Sequence, residues 1–194
     1  MSEMWIPREI SRELQKLSET FPIVALVGPR QVGKTSILEK VFPDYNYISL
    51  DMMSAAEAAE TRPKEFLEKF RPPVIIDEIQ YAPSFFRHMK AFVDANKGAN
   101  GLFIITGSQN FLLMENLSDS LAGRAAVVPF LGLSGTEWNN AEKASSPFRW
   151  RDFLWKGYFP ALWANPEASP SKERWYKGYV ITYVERDVRN LLNV

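Results

Sequence analysis

Gly28-Pro29-Arg30-Gln31-Val32-Gly33-Lys34-Thr35 satisfies the pattern G-x-x-x-x-G-K-[ST] at every fixed position. The chemistry dictates these residue types. Two glycines let the backbone turn so that consecutive amides face phosphate oxygens. A helix opening at Gly33 adds the positive end of its dipole at the same point. Lys34 then reaches the β- and γ-phosphates as a point charge, and the Thr35 hydroxyl ligates Mg²⁺. Nucleotide-contacting candidates are therefore Gly28, Pro29, Arg30, Gln31, Val32, Gly33, Lys34, Thr35 and Ser36. Arg30 sits on the variable side of the loop, and its role stays open.

A second constellation is Val74-Ile75-Ile76-Asp77-Glu78, an apolar run ending in two carboxylates. Asp77, at the carboxyl end of a strand beside Thr35, would hold Mg²⁺ through water. Glu78 would orient and deprotonate an attacking water. Further along, Thr106-Gly107-Ser108-Gln109-Asn110 offers hydroxyls that can bond the water or the γ-phosphate, with Ser108 and Thr106 the preferred donors. A helix N-cap is the competing reading of Ser108–Asn110. Arg124 can stabilise transition-state charge, from its own chain or a neighbour, or simply pair with a surface acid. Asp51 reads as a helix cap rather than a nucleotide contact, and His88 as a helix-surface or core-edge residue.

These side chains need a scaffold, and the hydrophobic pattern supplies one. IVALVG (23–28) is a continuous β-branched run, as in a strand buried on both faces. Runs at 45–51, 73–80, 102–108 and 125–133 read as four further strands, with Pro129 limiting pairing in the last. Between them lie helical stripes: Ile37, Leu38, Val41 and Phe42; then Phe66, Leu67 and Phe70 past an interruption at Pro63; then Phe85, Phe86, Met89, Phe92 and Val93; then Met114, Leu117 and Leu121. Ser54 and Glu57 have capping-box spacing. An N-terminal helix is expected over 7–18, with Pro7 in its first turn. The fold class is α/β: a three-layer P-loop NTPase domain with a five-stranded, mostly parallel sheet, followed by a small helical segment. The expected boundaries are 1–134 for the core and 135–194 for the helical part. The latter is rich in Trp and Tyr, and from Lys172 it reads as a long amphipathic helix presenting Tyr176, Val180, Tyr183, Val184, Val188 and Leu191.

Composition narrows the alternatives. The 194 residues contain no Cys and one His, so thiolate zinc, iron–sulfur and multi-histidine metal chemistry are excluded. Carboxylates, lysine, hydroxyls and a hard cation on oxygen ligands are what remain. The formal charge is zero, with a slight basic excess only after residue 141, so charge does not indicate nucleic-acid binding. No apolar run is long enough to span a bilayer, and the charged start lacks a signal-peptide core, so the expected location is cytoplasmic. No Asn-Lys-x-Asp guanine-reading motif occurs, and no arginine-rich lid of a small-molecule kinase follows Arg124.

GPRQVGKT, YISLD, VIIDEIQ, TGSQNFLL, SLAGRAAVVPFLGLS, GYFPAL and YVERDVRNLL occur in that order. In this combination the chain resembles a family of prokaryotic AAA-type ATPases, the extra-strand, catalytic-glutamate branch of P-loop enzymes. The resemblance implies an ATPase core and a helical lid. It implies ATP and Mg²⁺ as ligands, Lys34 and Thr35 on phosphate and metal, Asp77 and Glu78 on metal and water, and the Ser108 region as a sensor. It also implies a further C-terminal domain of about equal size, so the chain is expected to be one half of something larger. Two functions follow as expectations. One is a Mg-dependent ATP hydrolase, slow in isolation, that moves its helical region. The other is a nucleotide-binding module with negligible hydrolysis that docks a protein or nucleic acid. Relatives of this type form rings or act as resting monomers, so the oligomeric state stays open.

Overall fold

All five residues of Ile23–Val27 (β1) are buried, as a β-branched run with no polar alternation must be. In the computed structural model, which describes residues 5–107, 120–141, 150–163 and 171–184, β1 lies between two parallel neighbours. The strands Asn46–Ser49 (β2), Val74–Asp77 (β3), Phe103–Gly107 (β4) and Ala125–Pro129 (β5) complete a sheet of order β2-β3-β4-β1-β5. Every pairing is parallel, and the register aligns Val27 with Gly107 and Pro129, and Ser49 with Asp77. The carboxyl ends of the strands therefore share one edge, where open α/β sheets bind ligands.

Helices Ser11–Thr20 (α1), Lys34–Val41 (α2), Met53–Thr61 (α3), Pro63–Lys69 (α4) and Phe85–Ala95 (α5) cover the sheet. One core joins Ile23, Ala25 and Val27 to Val74, Ile76, Phe103 and Ile105, under Phe85, Phe86 and Met89 of α5. The alternate positions Val24, Leu26, Ile75 and Ile104 are buried too, and α1 packs on β1 and α2. Each fully buried side chain of this size contributes about 1.5–3 kcal/mol.

Several boundaries differ from the sequence reading. The N-terminal helix starts at Ser11, not in the turn after Pro7, and runs to Thr20. The helix α3 begins at Met53 with Met52 as N-cap and no side-chain cap, so Ser54 forms no capping box and Asp51 caps nothing. The break before Pro63 falls where expected, because proline suits the first turn of α4. The third strand stops at Asp77: Glu78 turns left-handed and Ile79–Tyr81 forms a 3-10 turn. The fifth stops at Pro129, on the sheet's edge.

By packing density the chain falls into two units. Ile10–Pro29 with Lys34–Phe130 forms the sheet unit, and Met1–Glu9, Arg30–Gly33 and Leu131–Val194 form the other. In the latter, helices Gly135–Asn139 (α6), Trp150–Lys156 (α7) and Lys172–Tyr179 (α8) accompany a 3-10 turn at Pro160–Leu162. Its core is aromatic: Trp163 packs 4.3 Å from Phe153 and 4.8 Å from Trp138, between ring centroids. Ser134 and Glu137 form a reciprocal capping box on α6. Past α8 the chain continues as a π-helical turn, Val180–Val184, and the remainder of the expected long helix, including Val188 and Leu191, lies outside the described residues.

Candidate functional site

The loop leaves β1 under tight packing. Gly28 N–H donates to Gly107 O (3.3 Å), and Phe130 N–H donates to Val27 O (2.6 Å). A methyl group at Gly28 would stand 1.9 Å from Phe130 O, so only glycine passes there. Gln31 (φ 62°) and Gly33 (φ 93°) both take left-handed backbone angles. Alternation of this kind gathers successive N–H groups into an anion-binding concavity. The helix α2 then starts at Lys34 with its first amides free of intrahelical partners. The buried Lys34 ammonium donates to Gly28 O and Pro29 O, each at 2.9 Å, which fixes the cation against the loop. A fixed ammonium at the start of a helix fits a polyphosphate.

Asp77 ends β3 and is buried, with three hydroxyls on its carboxylate. Thr35 Oγ1 donates to Oδ2 at 2.7 Å and Tyr47 Oη donates to the same oxygen at 2.9 Å. Thr106 Oγ1 donates to Oδ1. Because Thr35 spends its one proton on Asp77, the lone pairs of its oxygen remain for a cation. Thr35 and Asp77 thus fit Mg²⁺, which binds by few protein oxygens plus phosphate and water. Among the described residues, no group of three or more His, Cys, Asp or Glu could hold a metal by itself. Burial, followed by the charge of Asp77, pushes the Tyr47 phenol well above its ordinary range and keeps it a donor.

Glu78 is placed by backbone geometry. Its φ of 55° turns the chain out of the sheet directly after Asp77. Its N–H donates to Thr106 Oγ1 (3.3 Å), and its Oε2 accepts from Gln80 Nε2. Thr106 therefore ties the two acids together, with its proton committed to Asp77 rather than to a phosphate.

Arg30–Gly33 belong to the other unit, where two groups grip them. Buried Arg8 donates from Nη1 to Val32 O (2.8 Å) and from Nη2 to Leu131 O (2.8 Å) and Gly132 O (3.0 Å). Its Nε faces Glu137 Oε2 at 3.0 Å. Burial pulls the Arg8 guanidinium below its usual value, and Glu137 pulls it back up. From the C-terminal side, Tyr183 Oη accepts from Gln31 Nε2 (3.1 Å) while its ring lies 5.2 Å from the Arg30 guanidinium. Tyr179 Oη donates to Arg30 O (3.4 Å).

Arg124 stands apart from the loop. Arg124 precedes β5 at the amino edge of the sheet, opposite the loop and roughly 15 Å away along the strands at ~3.3 Å per residue. There it makes a bidentate pair with Asp94, at 2.7 and 3.1 Å. The surface pair with Asp94 is thus the arrangement the structure shows for Arg124, at the sheet edge away from the loop. Ser36 and His88 are exposed on α2 and α5. Ser108, Gln109 and Asn110 lie outside the described residues. Three site residues escaped the sequence reading: Tyr47, Gln80 and Arg8. Only Gln80 carried a local signal, as the amide two positions after Glu78.

An all-parallel sheet in this order, with a glycine-containing loop after β1 and an acid ending β3, is the fold of a P-loop NTPase domain of the ATPase type. The chain belongs to the AAA domain family, whose profile matches residues 20–139. It is 28% identical over 188 residues to the uncharacterized proteins Rv2008c of Mycobacterium tuberculosis and Mb2031c of Mycobacterium bovis. Those matches take in 95% of this chain but 40% of each relative, so the chain spans about two fifths of their length. Among solved structures, the Walker-type ATPase PABY2304 of Pyrococcus abyssi superposes with a TM-score of 0.61 at 17% identity, covering 96% of this chain and 76% of its own. A STAND-class signal-transduction ATPase with a tetratricopeptide-repeat sensor, PH0952 of Pyrococcus horikoshii, gives 0.50 at 16% identity, over 83% of this chain and 29% of its own. Among the described residues, no helix is long and apolar enough to cross a membrane.

Proposed function

We propose that this chain binds ATP with Mg²⁺ in the loop 28–36 and hydrolyses it slowly, using nucleotide state to move its C-terminal helical region. The observation that carries the reading is Asp77, whose carboxylate receives Thr35 from the loop and stands one residue before Glu78. In this reading Lys34 and the loop amides hold the β- and γ-phosphates. Thr35 turns its lone pairs to the metal, and Asp77 reaches the metal through water. Bound Mg²⁺ would neutralise charge developing between the β- and γ-phosphates. Glu78 orients and deprotonates the attacking water once its carboxylate leaves Gln80, and that hold on Glu78 supports slow turnover in isolation. A transition-state arginine supplied by a partner, by a further domain or by Arg124 of a neighbouring copy fits this reading, since Arg124 of the same chain lies at the opposite edge.

Movement of the C-terminal region is supported by the loop residues that the last helical stretch holds. Phosphate contacts that reshape Arg30 and Gln31 would act directly on Tyr179 and Tyr183. Such contacts ordering or releasing a segment is a known mode of coupling. Cytoplasmic location, and a further domain of the kind its longer relatives could hold, belong to the same proposal.

A second reading, a nucleotide-binding docking module without turnover, draws on Trp150, Leu154 and Trp155, exposed on α7 at helical spacing. One assay separates the two readings. ATP hydrolysis is measured for wild type, Lys34→Ala and Glu78→Gln, with thermal stabilisation by ATP and ADP read in parallel. Hydrolysis predicts turnover in wild type alone, with Glu78→Gln still stabilised by about 2.7 kcal/mol at 100 times Kd. Equal rates in all three proteins would sink it, and stabilisation without turnover would favour the docking module.

A further inference from the structure

We infer that Tyr47 is a positioning residue for the cation: its hydroxyl holds Asp77 so that the carboxylate meets the metal through water and not directly. The inference rests on the Mg-nucleotide reading of the same site. A carboxylate offers about four lone-pair positions. Three on Asp77 are taken, one by Thr106 on Oδ1 and two on Oδ2 by Thr35 and Tyr47. For Oδ2 to turn onto a cation, both of its hydroxyl donors would have to be given up. Mg²⁺ surrenders its own waters reluctantly, so a carboxylate saturated in this way favours the outer-sphere arrangement.

The hydroxyl, rather than the ring, is the functional part. Tyr47 is 38% exposed on a short edge strand, so its ring is not part of the buried core. A phenylalanine would cover the same surface without touching the carboxylate. The phenol also shares Oδ2 with Thr35, and so keeps that oxygen aimed at the loop hydroxyl whose lone pairs face the metal.

The test compares wild type with Tyr47→Phe, titrating a fluorescent ADP analogue at graded Mg²⁺ and in EDTA. Partners in a metal's outer shell typically govern affinity by one to two orders of magnitude. The Mg²⁺ concentration giving half-maximal enhancement of nucleotide binding is therefore expected to rise about tenfold. Affinity in EDTA should stay within roughly twofold, because the hydroxyl acts only through the cation's partner. An unchanged Mg²⁺ midpoint overturns the inference, and so does an equal loss in Mg²⁺ and in EDTA. A variant that fails to fold overturns it as well, since the hydroxyl would then be serving the fold. If wild type binds no nucleotide under either condition, the underlying reading falls and this inference with it. Wild-type binding that depends on Mg²⁺ and is matched by Tyr47→Phe sinks the inference alone.

Discussion

Removing the Arg8 guanidinium, as in Arg8→Met, should loosen the helical unit and the loop residues it grips. Arg8 is 7% exposed and its three nitrogens meet three carbonyls and one carboxylate. Two losses dominate. Val32 O is left in a buried position without its donor, a penalty of about 1–3 kcal/mol. Glu137 keeps its charge at 5% exposure with its cation gone, and breaking such a pair costs about 3–5 kcal/mol. The lower end applies to Glu137, because Ser134 N–H (2.9 Å) and Glu9 N–H (3.0 Å) still reach its carboxylate. The two losses fall on different partners and together come to about 4–6 kcal/mol, a fall in melting midpoint of roughly 15 °C. All six tryptophans lie in segments 1–9 and 131–194, so their fluorescence follows this unit selectively. Adding Glu137→Gln keeps a side chain able to complete the capping box but removes the orphaned charge, and should recover roughly half of the loss. A midpoint within about 2 °C of wild type would refute the reasoning. So would a double variant less stable than Arg8→Met alone.

Gly28→Ala drives a methyl group into Phe130 O, so the ends of β1 and β5 must separate; overpacking of this kind costs about 1–3 kcal/mol, and nucleotide affinity measured by titration should fall with stability. Gly28→Ala binding nucleotide as wild type does would show that the close approach is irrelevant to the loop. The Asp94–Arg124 pair makes a pH prediction, because hydrogen bonding from Arg124 holds the Asp94 carboxyl below its usual value. A depressed folded value means the contribution is present above the unfolded value of about 3.9 and lost as pH falls through the lower one. Asp94→Asn should therefore flatten the acid limb of the stability profile below about pH 4, the effect shrinking in high salt. Identical acid limbs in the two proteins would refute the pair's contribution.

The sheet was readable from sequence because burial on both faces leaves a signature that loops cannot imitate. β1 is apolar throughout, β3 and β4 each open with three apolar residues, and all three sit inside the sheet and are buried along their length. The misplacements came where tertiary structure overrides local pattern. Ile79 is as apolar as Ile76, yet it belongs to a 3-10 turn, because Glu78 adopts a left-handed angle that ends the strand. Ser54 and Glu57 have capping-box spacing, but Met52 takes the cap, since an N-cap is a backbone position and spacing alone cannot locate it. The true capping box, Ser134 with Glu137, closes on a glutamate that also pairs with Arg8, 129 positions earlier in the chain.

The site was legible to the degree that its residues are neighbours in sequence. Lys34 and Thr35 share one short loop, and Asp77 with Glu78 ends one strand, so spacing sufficed to propose them. Tyr47 cannot be reached that way. It lies thirty residues before Asp77, and only the pairing of β2 with β3, Ser49 opposite Asp77, brings its hydroxyl to the carboxylate. Strand order also places Arg124: a parallel β5 puts the residue before the strand at the edge opposite the loop. Both cases turn on topology: the edge on which Arg124 lies is set by the direction of β5, and the reach of Tyr47 to Asp77 by the pairing of β2 with β3. A motif search can name the first contacts with phosphate and metal, whereas the groups that hold those contacts in place come from whichever strands and helices the topology makes adjacent.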